Sequence, residues 1–246
     1  MGEQQIAKEM KQYDYVIEVM RNNGGFATLG FLNKNVNTSE WKTRTPYASI
    51  RRIVQDERHF FRIRPGLWAL NEFKNEVLSK FKIDDPKQEC QEAFNHSYYQ
   101  GLLLEIGNLK GYRTYIPPQD KNNKFLDRPL GSISQLSSIL PFSYSEIVSR
   151  AKTIDVIWFN DRKMPYSFFE IEHSTDLQNS IIKFIDLQDF YSKFYLVCPI
   201  NRKREFDRKI GYSAFHNIKE RIKFLDYDLI SNLHAKSFEL SALGSL

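Results

Sequence analysis

A chain of 246 residues has room for one large domain or two small ones, and 41% hydrophobic with 26% charged residues is the balance of a globular protein, not a disordered or fibrous one. Two distant cysteines, Cys90 and Cys198, exclude a disulfide framework and a cysteine zinc site; no apolar run is long enough for a membrane span or a signal peptide, so a reduced, cytoplasmic setting in a bacterial or archaeal cell is expected. The net charge of +5 is local: between Lys42 and Arg64 seven basic residues face two acidic ones, an excess equal to that of the whole chain, which favours a polyanion-binding surface there.

Tyr13, Val16, Ile17 and Met20 recur at helical spacing, and Asn22-Asn23-Gly24-Gly25 stops that helix. A short second helix is predicted over 27–35. A third starts at Thr45, a good N-cap, with Pro46 at its first position. Ile50, Ile53 and Val54 form its inward stripe, while Tyr47, Arg51, Arg52 and Gln55 fall on other faces. Residues 60–70, FFRIRPGLWAL, read as strand, Pro-Gly turn, strand. Three helices and a basic hairpin outline a winged helix-turn-helix. In that arrangement the helix beginning at Thr45, with Tyr47, Arg51, Arg52 and Gln55, enters the major groove of DNA, and Arg62 and Arg64 contact phosphates. Isolated arginine pairs are more often a solvated helix face; the coincidence of helix spacing, hairpin and local charge favours nucleic acid.

The charged stretch 72–90, with Asp84-Asp85-Pro86, reads as a short helix plus linker, giving domains at 1–75 and 91–246 joined by 76–90. An apolar helix in HSYYQGLLLEIG ends at Gly107 or Gly111, and a strand follows at 112–117. Residues 117–150 are rich in Pro, Ser and Asn and read as irregular, with one helix at 144–151. Two strands (153–159 and 165–175), an amphipathic helix (176–192) and an apolar strand (193–199) then give an α/β (α+β) order around a central mixed sheet.

Within SFFEIEHST, Glu170 and Glu172 share one face of an apolar strand, and Asp155 sits in the preceding strand between apolar neighbours. Three buried carboxylates on adjacent strands cannot all ionise without a cation. All-oxygen ligation suits Mg²⁺, which activates water at a phosphodiester. The competing reading is a solvent-facing strand edge paired with Arg162 or Lys163. His173 beside the pair is more often structural than catalytic, and the basic run 201–209 is more often a solvated face than a phosphate contact.

Two family resemblances follow. TPYASIRRIVQDERHFFRIRPGLWAL, within residues 10–71, resembles the HARE-HTH winged helices and implies DNA binding, with sensitivity to DNA modification as one variant. Asp155 followed by Glu170-Ile171-Glu172, with helix and apolar strand after it, is similar to the PD-(D/E)XK nucleases over about residues 92–200. That likeness implies metal ligation by Asp155, Glu170 and the Ile171 carbonyl, with Glu105 as the helical acidic residue. Where that family carries Lys this chain has Glu172, so either Glu172 takes the role or Lys183 on the next helix supplies the charge. The resulting expectation is a type II, Mg²⁺-dependent restriction endonuclease. It acts on double-stranded DNA, as a homodimer, beside a cognate methyltransferase. A DNA-binding regulator with a degenerate nuclease domain, a modification-dependent nuclease and a repair nuclease stay open.

Overall fold

The helical spacing at the start of the chain produces α1 (Gln12–Asn22), which buries Val16 and Met20. It is followed by β1 (Phe26–Thr28), α2 (Leu29–Asn35), α3 (Pro46–Ile53), β2 (Phe60–Arg64), β3 (Leu67–Leu70) and α4 (Lys74–Lys80). The computed structural model describes residues 10–83 and 88–244. Two compact units divide the chain, one formed by Met1–Leu78 with Phe238–Leu246 and the other by Ser79–Ser237. The Asp84-Asp85-Pro86 part of the expected linker lies outside the described residues.

In the first unit β1, β3 and β2 form an antiparallel sheet in that order. Strand β1 escapes sequence reading because three residues cannot display an alternation; its pairing with β3, Phe26 opposite Ala69, creates it. Thr28 then caps α2, its hydroxyl accepting from the Phe31 amide at 3.1 Å. Thr45 occupies the N-cap position of α3 without a side-chain cap bond, and Pro46 opens the helix. The helix ends at Ile53, so Gln55 lies beyond it. The hairpin between β2 and β3 turns at Pro65-Gly66, where Gly66 has φ +77°, a conformation that favours glycine.

The second unit is built on α5 (Gln88–Leu109), which buries Tyr98, Tyr99, Leu102, Leu103, Leu104 and Ile106, more than one helix stripe can hold. β4 (Arg113–Tyr115) follows, then the small hairpin β5 (Lys124–Phe125) and β6 (Arg128–Pro129), and helices α6 (Leu130–Ile133) and α7 (Ser145–Ala151). Short elements thus occupy part of the stretch expected to be irregular. β7 (Val156–Phe159), β8 (Pro165–Ile171), α8 (Leu177–Ile185), β9 (Lys193–Cys198), α9 (Lys203–Ile210), β10 (Ile222–Asp226) and α10 (Tyr227–Leu243) complete the chain. The five-stranded sheet runs β10-β9-β8-β7-β4. Its β4–β7 and β7–β8 pairs are antiparallel, and its β8–β9 and β9–β10 pairs parallel. The fold is therefore mixed α/β with a mixed sheet. Phe159, Phe168, Phe184 and Phe194 lie in the core on the α8 side.

Gly101 permits α5 to approach the β5–β6 hairpin: a Cβ there would lie 2.1 Å from the buried Phe125 ring. Gly101→Ala adds helix propensity of about 1 kcal/mol, but overpacking costs about 1–3 kcal/mol. At 2.1 Å from a buried ring the overpacking cost takes the upper part of that range, ~2–3 kcal/mol, so a net loss of ~1–2 kcal/mol in stability and a lowered urea midpoint are expected; an unchanged or raised midpoint would show that the hairpin yields.

Candidate active site

The site forms where β7 and β8 meet α5 and α8. Val156 pairs with Phe169, so the next step of the ladder brings Asp155 level with Glu170. The Ile171 amide donates to Asp155 Oδ2 at 2.7 Å, which fixes the carboxylate at the strand end. Glu170 is 1% exposed and Glu172 lies one residue beyond β8. Both carboxylates turn to the same helix: Ser180 Oγ donates to Glu170 Oε2 at 3.1 Å and also to Glu172 Oε1, while Thr175 Oγ1 donates to Glu172 Oε2.

Helix α8 is shaped for this. Asp176 caps it, accepting from the Gln178 amide at 2.9 Å. Leu177, Ser180, Ile181 and Phe184 form its buried stripe, with a serine where the carboxylates come close. Lys183, one turn after Ser180, places Nζ 2.7 Å from Glu170 Oε2 and 3.2 Å from the Thr153 carbonyl. The structure thus brings Asp155, Glu170, Glu172 and Lys183 together.

Charge is balanced unevenly here. Burial and the neighbouring Asp155 hold the Glu170 carboxyl well above the ordinary carboxylate range, although Lys183 pulls the other way. Burial also raises Glu172, against the Ser180 hydrogen bond. Burial disfavours the Lys183 cation, but Glu170, Asp155 and Glu172 outweigh it and raise the ammonium above its usual value. Glu170 Oε1 is buried without a hydrogen-bond partner, an unsatisfied acceptor within the cluster.

Three participants carried no distinct sequence signal. His96 Nε2 stands 3.2 Å from Asp155 Oδ2. Burial lowers its proton affinity and Asp155 more than restores it. Gln100, one turn further along α5, donates to Asp120 Oδ2 at 2.9 Å and to the Asp155 carbonyl at 3.2 Å. Burial raises the Asp120 carboxyl. The i, i+4 spacing of His96 and Gln100 is visible in the sequence, but nothing in it aims that face at Asp155.

Other predicted residues lie elsewhere. Glu105 bonds His234 Nε2 at 2.8 Å and also Arg128, and those partners hold its carboxyl below the ordinary range despite burial. His173 Nδ1 is 3.3 Å from the Tyr227 hydroxyl, its ring stacked on Tyr227. In the basic run, Arg202 donates to the carbonyls of Glu172 and Thr175, at 3.3 and 2.6 Å, and pairs with Glu205. Lys203 pairs with Asp207 and Lys209 with Asp176. In the first unit Arg52, Gln55 and Arg62 are exposed and Tyr47, Arg51 and Arg64 half-buried, with Arg64 Nη1 donating to the Ile63 carbonyl at 2.9 Å.

A sequence model of the type II restriction enzyme NmeDI C-terminal domain matches residues 77–243, which include every residue of the carboxylate site. The chain belongs to this family. The type II restriction enzyme NmeDI of Neisseria meningitidis serogroup C is 23% identical over 150 residues, 57% of this chain and 42% of that relative. This member of the NmeDI C-terminal family thus spans less than half the length of that relative. No solved structure matches the chain.

Among the described residues, no three His, Cys, Asp or Glu side chains form a preassembled metal cage. Mg²⁺ needs none, since it retains several waters and takes one or two carboxylates. The orphaned Glu170 Oε1, on a carboxylate that interacts electrostatically with Asp155, is an oxygen acceptor of the kind such an ion takes.

A pH dependence follows from the raised carboxyls. Glu170 and Glu172 bind protons more tightly folded than unfolded, so the stability they contribute is full below about pH 4.5. It is lost as pH rises through their raised folded values. In EDTA, the urea midpoint of the wild type should fall over that window and Glu170→Gln should flatten the decline; equal slopes would show that Glu170 does not titrate there.

Proposed function

We propose that this chain is a site-specific, Mg²⁺-dependent endonuclease of restriction type that hydrolyses phosphodiesters of double-stranded DNA. The observation that carries the reading is the convergence of Asp155, Glu170 and Lys183 at the ends of β7 and β8, in a member of the NmeDI C-terminal family. An antiparallel β7–β8 pair, a following helix and a parallel β9 support kinship with the PD-(D/E)XK nucleases. The element order of the first unit, helix, strand, two helices and a hairpin with sheet order β1-β3-β2, supports its reading as a winged helix that anchors DNA.

In this mechanism Asp155 and Glu170, with the Ile171 carbonyl, would hold the cation. The chemistry it supplies when bound is polarisation of a phosphoryl oxygen and acidification of water. Lys183 stands in for the lysine that Glu172 displaces. Its ammonium, held by Glu170 and the Thr153 carbonyl, would offset the negative charge that develops on the phosphate. Glu172, pinned by Ser180 and Thr175, takes the proton of the attacking water. His96 and Gln100 orient Asp155 from α5. Cutting both strands needs two such sites, so the working form is a homodimer matched to a two-fold DNA site, with a cognate methyltransferase protecting the host.

The test is digestion of methylated and unmethylated phage DNA with Mg²⁺ or EDTA. Discrete Mg²⁺-dependent fragments are expected. Asp155→Ala and Glu170→Ala abolish them, and Lys183→Ala slows cutting by about 10²–10³-fold, the range for one electrostatic stabiliser. Cutting of methylated DNA alone makes the chain a modification-dependent nuclease. Binding without any cutting makes it a regulator and removes the enzymatic reading.

The DNA-anchoring role has its own measure. Replacing Arg51 and Arg52 by Ala should weaken binding to duplexes of any sequence and lower the slope of log K against log salt by about 2. An unchanged slope assigns the contact to other residues.

A further inference from the structure

On the sheet face turned away from Glu170, a cleft of about 220 Å³ opens beside Tyr166. Ser167 and Phe169 line it, while Phe168 and Glu170 alternate to the other side of β8. Its walls are aromatic planes. Tyr112 stacks on Trp158 at 5.3 Å and on Tyr166 at 4.7 Å, and Phe169 stacks on Tyr195 at 4.9 Å. Aliphatic side chains of α5, β10 and α10 close the floor. Lys110 and Lys193 bring positive charge to it. Lys193 Nζ lies 4.7 Å over the Tyr166 ring and 2.8 Å from its hydroxyl. That hydrogen bond, then the one from Tyr112, holds the Tyr166 hydroxyl below its ordinary value, a sign of positive potential.

A second cleft of about 220 Å³ shares Tyr166 and Lys193 and adds Arg221, Lys223 and Tyr191, whose ring is fully exposed. Arg221 donates to the carbonyls of Gln188, Phe190 and Ser192, so its charge is fixed in place. No carboxylate lines either cleft among the described residues. The first is smaller than the ~300–1,000 Å³ of sites for drug-sized ligands, which limits it to one ring system. Stacked aromatic rings with a lysine rim suit a planar heterocycle that carries an anion, and they disfavour a cation or a lipid tail.

We propose that these clefts bind one nucleotide, the base stacked on the aromatic rings that line the first and the phosphate against Lys193 and Lys223 of the second. Such a nucleotide comes from a free pool or from a base turned out of a DNA strand. The site stands apart from the cleavage centre and rests on the nuclease reading only for the second of these sources.

Equilibrium dialysis in EDTA, with deoxyadenosine and deoxycytidine 5′-monophosphates as probes, tests this without any cleavage. Saturable binding is expected, weaker for the nucleoside without phosphate and absent for deoxyribose 5-phosphate. Tyr166→Ala should weaken it about tenfold, within the range of one lost base stack. Lys193→Glu, at an exposed position, should abolish it and serves if Tyr166→Ala fails to fold. A duplex with one mispaired base that displaces the nucleotide, where a fully paired duplex does not, supports binding of an extruded base. Displacement by neither supports a free nucleotide. No saturable binding overturns the proposal, as does binding kept in Lys193→Glu and lost in Lys183→Ala. A chain that cuts DNA yet binds no nucleotide loses only this inference; one that binds nucleotide yet cuts nothing loses only the nuclease reading.

Discussion

The ion pair between Glu170 and Lys183 is the constraint around which the second unit is organised. A carboxylate 1% exposed at the end of an apolar strand has an unfavourable desolvation energy, and a single lysine offsets it incompletely. Ser180 and the strand-end geometry share the remainder, and one carboxylate oxygen is left without any partner. A fold that sought stability alone would place an apolar residue there. The position is held at a cost, which is the usual mark of a residue retained for chemistry. The same pair fixes how α8 docks, because Ser180 and Lys183 reach the carboxylates only when the Leu177, Ile181 and Phe184 stripe is seated in the core.

The first unit follows a different logic. Its small apolar core of Val16, Met20, Leu32, Ile50, Val54 and Leu67 sets the backbone, and its cations stay at the surface. Arg21 is paired with Glu72 and Arg58 with Asp56, and Arg52, Arg58 and Arg62 are all exposed. In the C-terminal basic run, by contrast, Arg202, Lys203 and Lys209 all engage carboxylates of the same chain. Two stretches of similar composition therefore differ in exposure, since Arg202 and Lys209 are largely covered while Arg52 and Arg62 are open to solvent.

Much of this was legible in the sequence because it rests on local periodicity. The apolar run of β7, the alternating pair at the end of β8 and the amphipathic α8 each announce themselves within a dozen residues. Lys183 could be named because it lies two turns into the helix that follows the strand. His96, Gln100 and Asp120 could not, since their position beside Asp155 depends on the packing of α5 across the sheet, a relation without local pattern. Glu105 shows the converse: the family resemblance suggested a ligand there, while its ion pairs with His234 and Arg128 depend on contacts far along the chain. The three-residue β1 was invisible for the same reason, being defined by its partner strand.

Strand β8 serves two masters. Alternate residues feed the carboxylate cluster and the aromatic cleft, so its pleat works as a partition between them. Loss or gain of one residue within it would exchange the two linings, presenting Phe169 to α8 and a glutamate to the aromatic rings. Substitutions can tune either side separately, but length cannot change. Evolution of this chain by insertion is thereby confined to the connections, such as the stretch between β4 and β7, and away from the strand that keeps two chemistries apart.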